Sequence, residues 1–361
     1  MRDVLEGLVA DGSLPGAAVA VIRGGDREVV TVGFADLARS VPLGPDTRFR
    51  LASLSKPIVS ALALGLIEDG GLGLEDPIGR WLPELAAPTV LRGDAVVPAA
   101  GPVRVRHLLD ATCGWGFPGE LTAGFERMLA AVGDGRHRHR MPVPDVWVAA
   151  LARTPLLFEP GEQWLYDTSY DLLGVVLARA AGQPLPEALH ARLLEPLGMR
   201  GTGFAASGAL VEEVRAQGGE LVPAGYDEDV RRLPRFPSGA GGLFGTVEDL
   251  SRFAHMLVNG GDGVLAAASV EAMTSDQLAP AQRRAGGAYL AGQSWGYGGS
   301  VDVEPTEPWH APGRYGWIGV TGTSLHVRRE EGTAIVVLTA RELHDAADMA
   351  LMGTLWTAAI R

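Results

Sequence analysis

Short, mostly apolar runs separated by glycine-containing turns at the two ends of the chain predict two β-hairpins. Near the start, residues 17–22 and 28–32 are expected to form strands joined by a Gly-Gly turn. Near the end, residues 324–327 and 333–338 are expected to form a second pair. Strands at both ends of one chain commonly share a sheet, so we expect the two hairpins to meet in a single antiparallel sheet.

Between the hairpins, apolar residues recur at helical spacing and predict a series of helices. The expected helices cover residues 53–68, 146–154, 170–181, 185–194 and 247–259, with two more at 4–11 and 345–360 that flank the sheet. The helix over 53–68 is apolar on nearly every side, which is typical of a helix inside a core. The stretch 83–101 is rich in Pro and Gly and predicts a long surface loop.

These patterns predict an α+β fold, in which an antiparallel sheet flanked by helices is joined to a mostly helical region. No internal repeat divides the chain, so we expect a single catalytic unit over residues 1–361. The sheet region should comprise approximately residues 1–50 and 285–361, and the helical region approximately residues 51–284. The functional site should lie between the two regions.

Composition narrows the class of protein. The 361 residues are 47% hydrophobic and 20% charged, as in a globular protein with a large core. A net charge of -12 argues against a nucleic-acid partner. The basic run at 136–140 predicts a solvated loop, with phosphate or metal binding through its histidines as the alternative. The single cysteine, Cys113, excludes an internal disulfide.

The N-terminal residues lack the long apolar core of a signal peptide, and no apolar run is long enough to span a bilayer. We therefore expect a cytoplasmic protein with no membrane partner. The oligomeric state cannot be read from the sequence.

The candidate chemistry begins at Ser53 and Lys56. Residues three apart share one face of a helix, so the Lys56 amine can lie beside the Ser53 hydroxyl and take its proton. Pro57 fits in the first turn of the helix, where amide protons lack helical partners. The alternative is that Ser53 only caps the helix and Lys56 is solvated.

The surrounding segment resembles the nucleophile segment of the serine β-lactamase and penicillin-binding-protein superfamily. Further segments resemble that superfamily in the same order along the chain: residues 103–109 with 112–114, 161–166, 196–199 with 202–204, 238–243 with 249–253, and 313–319. Their motifs are most similar to those of class C β-lactamases and family VIII carboxylesterases. The resemblance implies a β-lactamase/transpeptidase-like fold and no metal or organic cofactor.

The resemblance also implies roles for individual residues. Tyr166 begins the second motif, and its phenol would share protons with the Lys56 amine, so that the two groups titrate as a pair. The backbone N–H groups of Ser53 and Val320 would form the oxyanion hole. Gly319, in the third motif, would let the substrate backbone approach closely.

Two departures from the class C pattern affect the expected substrate. Thr168 stands where an asparagine usually binds a substrate amide, and the role of the preceding Asp167 stays open. Trp317 stands where a lysine usually attracts a substrate carboxylate; an indole carries no charge but offers a large apolar face for an acyl or alcohol group of the substrate. Both departures favour esters, although Arg314 or Arg341 could supply a substitute charge.

A competing motif lies at residues 292–296, where Gly-Gln-Ser-Trp-Gly fits the nucleophile elbow of α/β-hydrolases. That motif requires a helix directly after Ser294, whereas the sequence predicts a glycine-rich strand. The nominal partners His310 and His326 are expected in a loop and a strand.

The sequence therefore predicts a serine hydrolase that forms an acyl-enzyme on Ser53, with a carboxylesterase acting on small esters as the leading hypothesis. The alternatives are a β-lactamase or D-amino-acid peptidase acting on amides, an acyltransferase, and a penicillin-binding module that does not turn over. The complete set of Ser53, Lys56 and Tyr166 disfavours the last.

Overall fold

The computed structural model describes residues 1–118, 123–133, 140–225 and 229–360. Four residues of the basic run, 136–139, lie outside the described part, so the expectation for that run is not addressed. None of the helices within the described residues is both long and apolar enough to cross a membrane.

Helices and short strands alternate through the middle of the chain, and longer strands lie at its ends. The described helices are α1 (Arg2–Ala10), α2 (Ser55–Glu68), α3 (Val105–Leu109), α4 (Ala123–Val132), α5 (Pro144–Leu151), α6 (Thr168–Ala181), α7 (Leu185–Leu189), α8 (Val247–Val258), α9 (Ala267–Thr274), α10 (Pro280–Ala285), α11 (Gly287–Leu290) and α12 (Ala346–Ile360). The strands are β1 (Gly16–Arg23), β2 (Asp26–Gly33), β3 (Phe49–Arg50), β4 (Thr89–Arg92), β5 (Ala95–Pro98), β6 (Val214–Gln217), β7 (Glu220–Pro223), β8 (Phe244–Gly245), β9 (Ser294–Trp295), β10 (Ser300–Val301), β11 (Tyr315–Gly319), β12 (Thr323–Arg328) and β13 (Thr333–Thr339).

The two ends of the chain meet in one antiparallel sheet, as predicted. Within the described residues this sheet has seven strands in the order β2-β1-β13-β12-β11-β10-β9. Strand β1 pairs with β13 in a register that places Ala17 opposite Thr339. Strands β9 and β10 have two residues each, so β11 extends past them towards the helical region.

The sheet is covered on both faces, which explains why β1 is apolar at nearly every position. Alternate residues of β1 point to opposite faces. Ala18, Ala20 and Ile22 join the main core, whereas Ala17, Val19 and Val21 pack in a second cluster with apolar residues of α1 and α12. Helix α2 lies inside the main core and has buried residues around its whole circumference.

Three predictions of local structure need correction. The helix expected from Ser53 begins as a single 3₁₀ turn, Ala52–Leu54, and becomes α-helical only at Ser55. The expected loop at 83–101 contains a 3₁₀ turn, Pro83–Leu85, and the β4-β5 hairpin. The helix expected at 185–194 continues after α7 as a π-helical segment, His190–Leu194. Short elements of this kind depend on tertiary contacts that local patterns do not carry.

Candidate active site

The nucleophile turn, Ala52–Leu54, is held between the sheet and the helical region. The Leu51 N–H donates to the Leu243 carbonyl, and the Leu51 carbonyl accepts from the Thr323 hydroxyl at 3.0 Å. Ala52 has φ of 47°, in the left-handed region that is uncommon for alanine. These contacts fix Ser53 directly before a helix that is buried along most of its length.

Ser53, Lys56 and Tyr166 lie within hydrogen-bond reach of one another. The Lys56 Nζ is 3.0 Å from the Ser53 Oγ and 3.3 Å from the Tyr166 phenol oxygen. The Tyr166 oxygen is 2.8 Å from the Ser53 Oγ. The structure thus brings together the three predicted catalytic residues, although Tyr166 lies 113 positions from Ser53 in the chain. A serine hydroxyl with two candidate proton acceptors is the arrangement that nucleophilic catalysis needs.

Lys56 is fully buried, and its amine meets two further acceptors. The Nζ lies 2.8 Å from the Asp167 Oδ1 and 2.8 Å from the Ala240 carbonyl oxygen. The Asp167 side chain is only 9% exposed. A buried ion pair of this kind holds its partners tightly in place, because an unpaired buried charge is strongly unfavourable.

Asp167 reaches Lys56 through a γ-turn. Its φ and ψ are 77° and -68°, and the Thr168 N–H donates to the Tyr166 carbonyl at 3.1 Å. This conformation is strained for a residue other than glycine and costs about 1–3 kcal/mol. The turn therefore lowers the stability of the fold slightly, and it directs the Asp167 carboxylate at the Lys56 amine.

Thr168, the expected substrate-binding residue of the second motif, is instead the first residue of α6. Its side chain is buried, and it is not among the residues that line the cleft. Asp167 occupies the position beside Lys56.

A second carboxylate, that of Asp171, holds the loop that contacts Lys56. The Ser238 hydroxyl donates to the Asp171 Oδ1, and the Ala240 N–H donates to the same oxygen at 3.1 Å. These bonds fix the loop that presents the Ala240 carbonyl to Lys56. Asp171 and Ala240 are functional neighbours that sequence reasoning missed, because an aspartate in a helix and an alanine in a loop carry no chemical signature.

Trp317 lies on β11 against Tyr166. The indole Nε1–H donates to the Tyr166 oxygen at 2.8 Å. Indole nitrogen is a donor only, so the Tyr166 oxygen must accept this bond. Trp317 was expected to contact substrate through its apolar face; the structure adds a hydrogen bond to the candidate base.

An aromatic cluster surrounds the phenol. Tyr289 stacks on Tyr166 with ring centroids 4.9 Å apart, and Trp295 packs edge-on against Trp317 at 4.6 Å. Burial raises the pKa of Tyr289, with a further contribution from Tyr166. The cluster covers one face of the Tyr166 ring.

Gly319 brings β11 against the nucleophile turn. A Cβ at this position would lie 2.4 Å from the Leu51 carbonyl oxygen and 2.3 Å from the Thr323 hydroxyl. The absence of a side chain therefore serves the contact between strand and turn, whereas Gly319 was expected to admit substrate. The next residue, Val320, lines the cleft together with Ser53.

Arg314 and Arg341, the two arginines considered as alternative partners for a substrate carboxylate, each form an ion pair with an aspartate. The Arg314 Nε is 2.7 Å from the Asp302 Oδ2, in a pair that is almost fully buried. The Arg341 Nη2 is 2.7 Å from the Asp348 Oδ1. Each pairing neutralises the cation, so the suggestion that either arginine replaces the missing lysine is not supported.

The competing elbow motif does not form a nucleophile. Ser294 is buried in β9, and its hydroxyl donates to the Asp276 carboxylate. His326 lies in β12 and His310 in a loop, as expected. Burial lowers the pKa of both imidazoles.

Cys113 is buried near the site, where its thiol donates to the Trp115 carbonyl. Burial raises the pKa of this thiol to about 11, which makes it unreactive as a nucleophile at neutral pH.

The site opens into a cleft of about 1940 Å³ between the sheet and the helical region. Ser53, Tyr166, Asp167, Trp317 and Val320 line it. Pockets for drug-sized ligands are usually about 300–1,000 Å³, so this cleft has room beyond a small ester. Across the described ranges, no group of three or more His, Cys, Asp or Glu side chains is arranged to hold a metal ion.

The chain is similar to known proteins over nearly its whole length. The family model described as Beta-lactamase matches residues 1–352. The esterase EstB of Burkholderia gladioli is 33% identical over 361 residues, covering 93% of this chain and 88% of the relative.

Solved structures with the same architecture include EstCE1, described as a hydrolase with promiscuous acyltransferase activity. It superimposes with a TM-score of 0.85 at 26% identity, covering 99% of this chain and 97% of EstCE1. The simvastatin synthase LovD from Aspergillus terreus superimposes with a TM-score of 0.83 at 22% identity, covering 99% of this chain and 96% of LovD. The α+β, β-lactamase-like fold predicted from the sequence is confirmed.

Proposed function

The chain belongs to the beta-lactamase family, and we propose that it is a serine carboxylesterase that acts on small-molecule esters through an acyl-enzyme on Ser53. The observation that carries this proposal is the hydrogen-bonded set of Ser53, Lys56 and Tyr166 beside a neutral indole, where a carboxylate-binding cation would otherwise stand. The similarity to the esterase EstB over nearly the whole chain supports it. We further propose that the described regions act as one catalytic unit.

In the first half of the reaction, the Ser53 Oγ attacks the ester carbonyl carbon while its proton passes to the pair formed by Tyr166 and Lys56. The carbonyl oxygen becomes an oxyanion, for which the N–H groups of Ser53 and Val320 are the proposed donors. Such a donor typically contributes about 3 kcal/mol to barrier lowering. Collapse of the intermediate breaks the bond to the alcohol oxygen, which leaves with the proton held by the pair.

In the second half, water takes the place of the alcohol. The same pair accepts a proton from water as the water oxygen attacks the acyl carbon, and the proton returns to the Ser53 Oγ as the acyl bond breaks. An acyltransferase would use an alcohol in this step, and EstCE1, with its described promiscuous acyltransferase activity, makes acyl transfer the second candidate.

The test is covalent labelling together with turnover. Wild-type protein should hydrolyse p-nitrophenyl butyrate and should react with a fluorophosphonate at Ser53, as located by peptide mass spectrometry. Ser53→Ala should neither hydrolyse the ester nor react with the fluorophosphonate. Ser294→Ala, the matched control at the competing motif, should keep them. Ester turnover by Ser53→Ala at the wild-type rate would refute the assignment.

A further inference from the structure

Asp167 is the one carboxylate whose oxygen bonds directly to the catalytic amine among the described contacts of Lys56. We propose that Asp167 acts through Lys56 as a positioning residue that favours the protonated form of the pair made by Lys56 and Tyr166, so that removal of its charge extends acylation to lower pH. This inference rests on the proposed acylation of Ser53.

The resting charges follow from the contacts. With Asp167 ionised and 2.8 Å from the Lys56 Nζ, the site holds an ammonium, a carboxylate and a neutral phenol, which together carry no net charge. The amine also donates to the Ala240 carbonyl, so two of its three protons are held by strong acceptors. In this state neither the amine nor the phenol can take the proton of Ser53.

The active state has one proton fewer. Loss of that proton leaves either a neutral amine with a phenol or an ammonium with a phenolate, and in both cases the buried site gains a net negative charge. The Asp167 carboxylate opposes this loss by Coulomb repulsion or by loss of its ion pair. The sign of its effect is therefore the same whichever residue gives up the proton: Asp167 moves the active state to higher pH.

Other titratable and charged groups face this site and keep their own partners. The Tyr170 ring lies 5.9 Å from the Lys56 Nζ, but its hydroxyl donates to the Leu109 carbonyl at 2.6 Å. Tyr289 stacks on Tyr166, and Asp171 accepts from Ser238 and from the Ala240 N–H. Arg140 lines the same cleft. All of these side chains remain in a single Asp167 variant, in which Tyr289 loses only the contribution of Asp167 to its raised pKa.

The backbone at Asp167 makes the substitution feasible. Asparagine has nearly the same shape and adopts positive φ more readily than most residues, so Asp167→Asn removes the charge and preserves the γ-turn. Glycine has no steric penalty at φ of 77°, so Asp167→Gly supplies a second charge-free variant if the first fails to fold.

The experiment follows the rate of Ser53 labelling by a fluorophosphonate, and kcat/KM for p-nitrophenyl butyrate, from pH 5 to pH 10. In both Asp167 variants the acid limb of each profile should move to lower pH by about 1–3 units, the range expected for loss of a neighbouring opposite charge. Asp229→Asn is the matched control, because Asp229 lines the cleft but pairs with Arg232 on its exposed side. Its acid limb should stay within a few tenths of a unit of wild type.

An unmoved acid limb in the Asp167 variants, or a limb that moves to higher pH, would overturn the proposal. An equal shift in Asp229→Asn would overturn it as well, since the effect would then belong to the general field of the cleft. Labelling separates this inference from the proposed function. If labelling shows the shift while no ester is hydrolysed, the esterase assignment fails and the role of Asp167 stands.

Discussion

The Trp317 indole combines two tasks at the scale of a single residue. Its ring belongs to the aromatic cluster, and its Nε1–H donates to the Tyr166 oxygen at 2.8 Å. A hydrogen bond to an oxygen that gains negative charge during proton transfer is worth about 1.5–3 kcal/mol. The indole therefore stabilises the base but, being uncharged, cannot itself pair with a substrate carboxylate.

Trp317→Phe should lower kcat for p-nitrophenyl butyrate by roughly 10- to 100-fold, because it removes this donor and keeps most of the aromatic area. Trp147→Phe is the matched control. The Trp147 indole also donates one buried hydrogen bond, to the Val132 carbonyl at 3.1 Å, but it is not among the residues that line the cleft. Equal losses of kcat in the two variants would show that Trp317 acts only through stability.

Local spacing predicted that the Ser53 and Lys56 side chains lie close together, whereas their catalytic roles were inferred from the resemblance of the surrounding motifs. Asp167 could not be assigned in the same way. Its contact with Lys56 joins residues 111 positions apart and depends on the backbone angles of one residue in a γ-turn. Side-chain type alone carries no information about such an angle.

At the scale of secondary-structure elements, the site depends on the contact between strand β11 and the nucleophile turn. Gly319 allows the strand to approach Leu51 and Thr323 more closely than any side chain would permit. The Thr321 hydroxyl adds a bond to the Arg50 carbonyl at 2.6 Å. These contacts hold the proposed oxyanion donors of the two elements in one place.

Gly319→Ala should therefore lower kcat/KM by at least about tenfold and lower the free energy of unfolding by about 1–3 kcal/mol, the usual cost of overpacking. Denaturant unfolding and ester kinetics would measure the two effects. Gly101→Ala should change neither, since a Cβ there meets no atom within 4 Å. Unchanged kinetics in Gly319→Ala would show that the close contact between Gly319 and the nucleophile turn is not needed for ester hydrolysis.

Helix α3 contains a second element with a testable pH dependence. The Arg104 N–H donates to the Nδ1 of the buried His107 at 3.1 Å, which requires an unprotonated Nδ1. Burial lowers the pKa of His107 to about 4, with contributions from Arg106 and Arg104. The unfolded chain binds this proton near pH 6.5. The stability due to neutral His107 is therefore complete above pH 6.5 and is lost as the pH falls to about 4.

His107→Asn keeps an acceptor near the Nδ1 position but cannot be protonated. On going from pH 7 to pH 5, the wild type should lose more free energy of unfolding than this variant, as measured by urea midpoints. The comparison with the variant is needed because burial raises the pKa of Asp110 to about 7, which acts in the opposite direction over the same range. Identical changes in the two proteins would contradict the assignment to His107.

At the scale of the whole molecule, the short apolar runs at the chain ends were sufficient to predict the antiparallel sheet. The pairing of β1 with β13 follows from two strands that are apolar on both faces and must be covered twice. The β4-β5 hairpin was missed because its strands are short and largely exposed, so they carry no alternation. The cleft depends on how the sheet and the helical region pack, which no local pattern encodes.

The cleft as a whole determines the expected substrate preference. Its catalytic residues are arranged for acyl transfer, but Trp317 is neutral, and both Arg314 and Arg341 are paired with aspartates. A substrate carboxylate placed against the Trp317 ring would lose part of its hydration, and the indole offers no charge in return. An apolar acyl or alcohol group gains about 25 cal/mol for each Å² that it buries against the aromatic residues.

We therefore expect kcat/KM for p-nitrophenyl butyrate to exceed that for a chromogenic cephalosporin by at least about 100-fold, with both measured on one preparation. Trp317→Lys should shift the ratio towards the cephalosporin, because an ammonium attracts its carboxylate. The ratio is the informative quantity, since loss of the indole donor to Tyr166 slows both reactions together. A wild-type ratio near one would favour the β-lactamase alternative. An unchanged ratio in Trp317→Lys would mean that β11 does not face the substrate carboxylate.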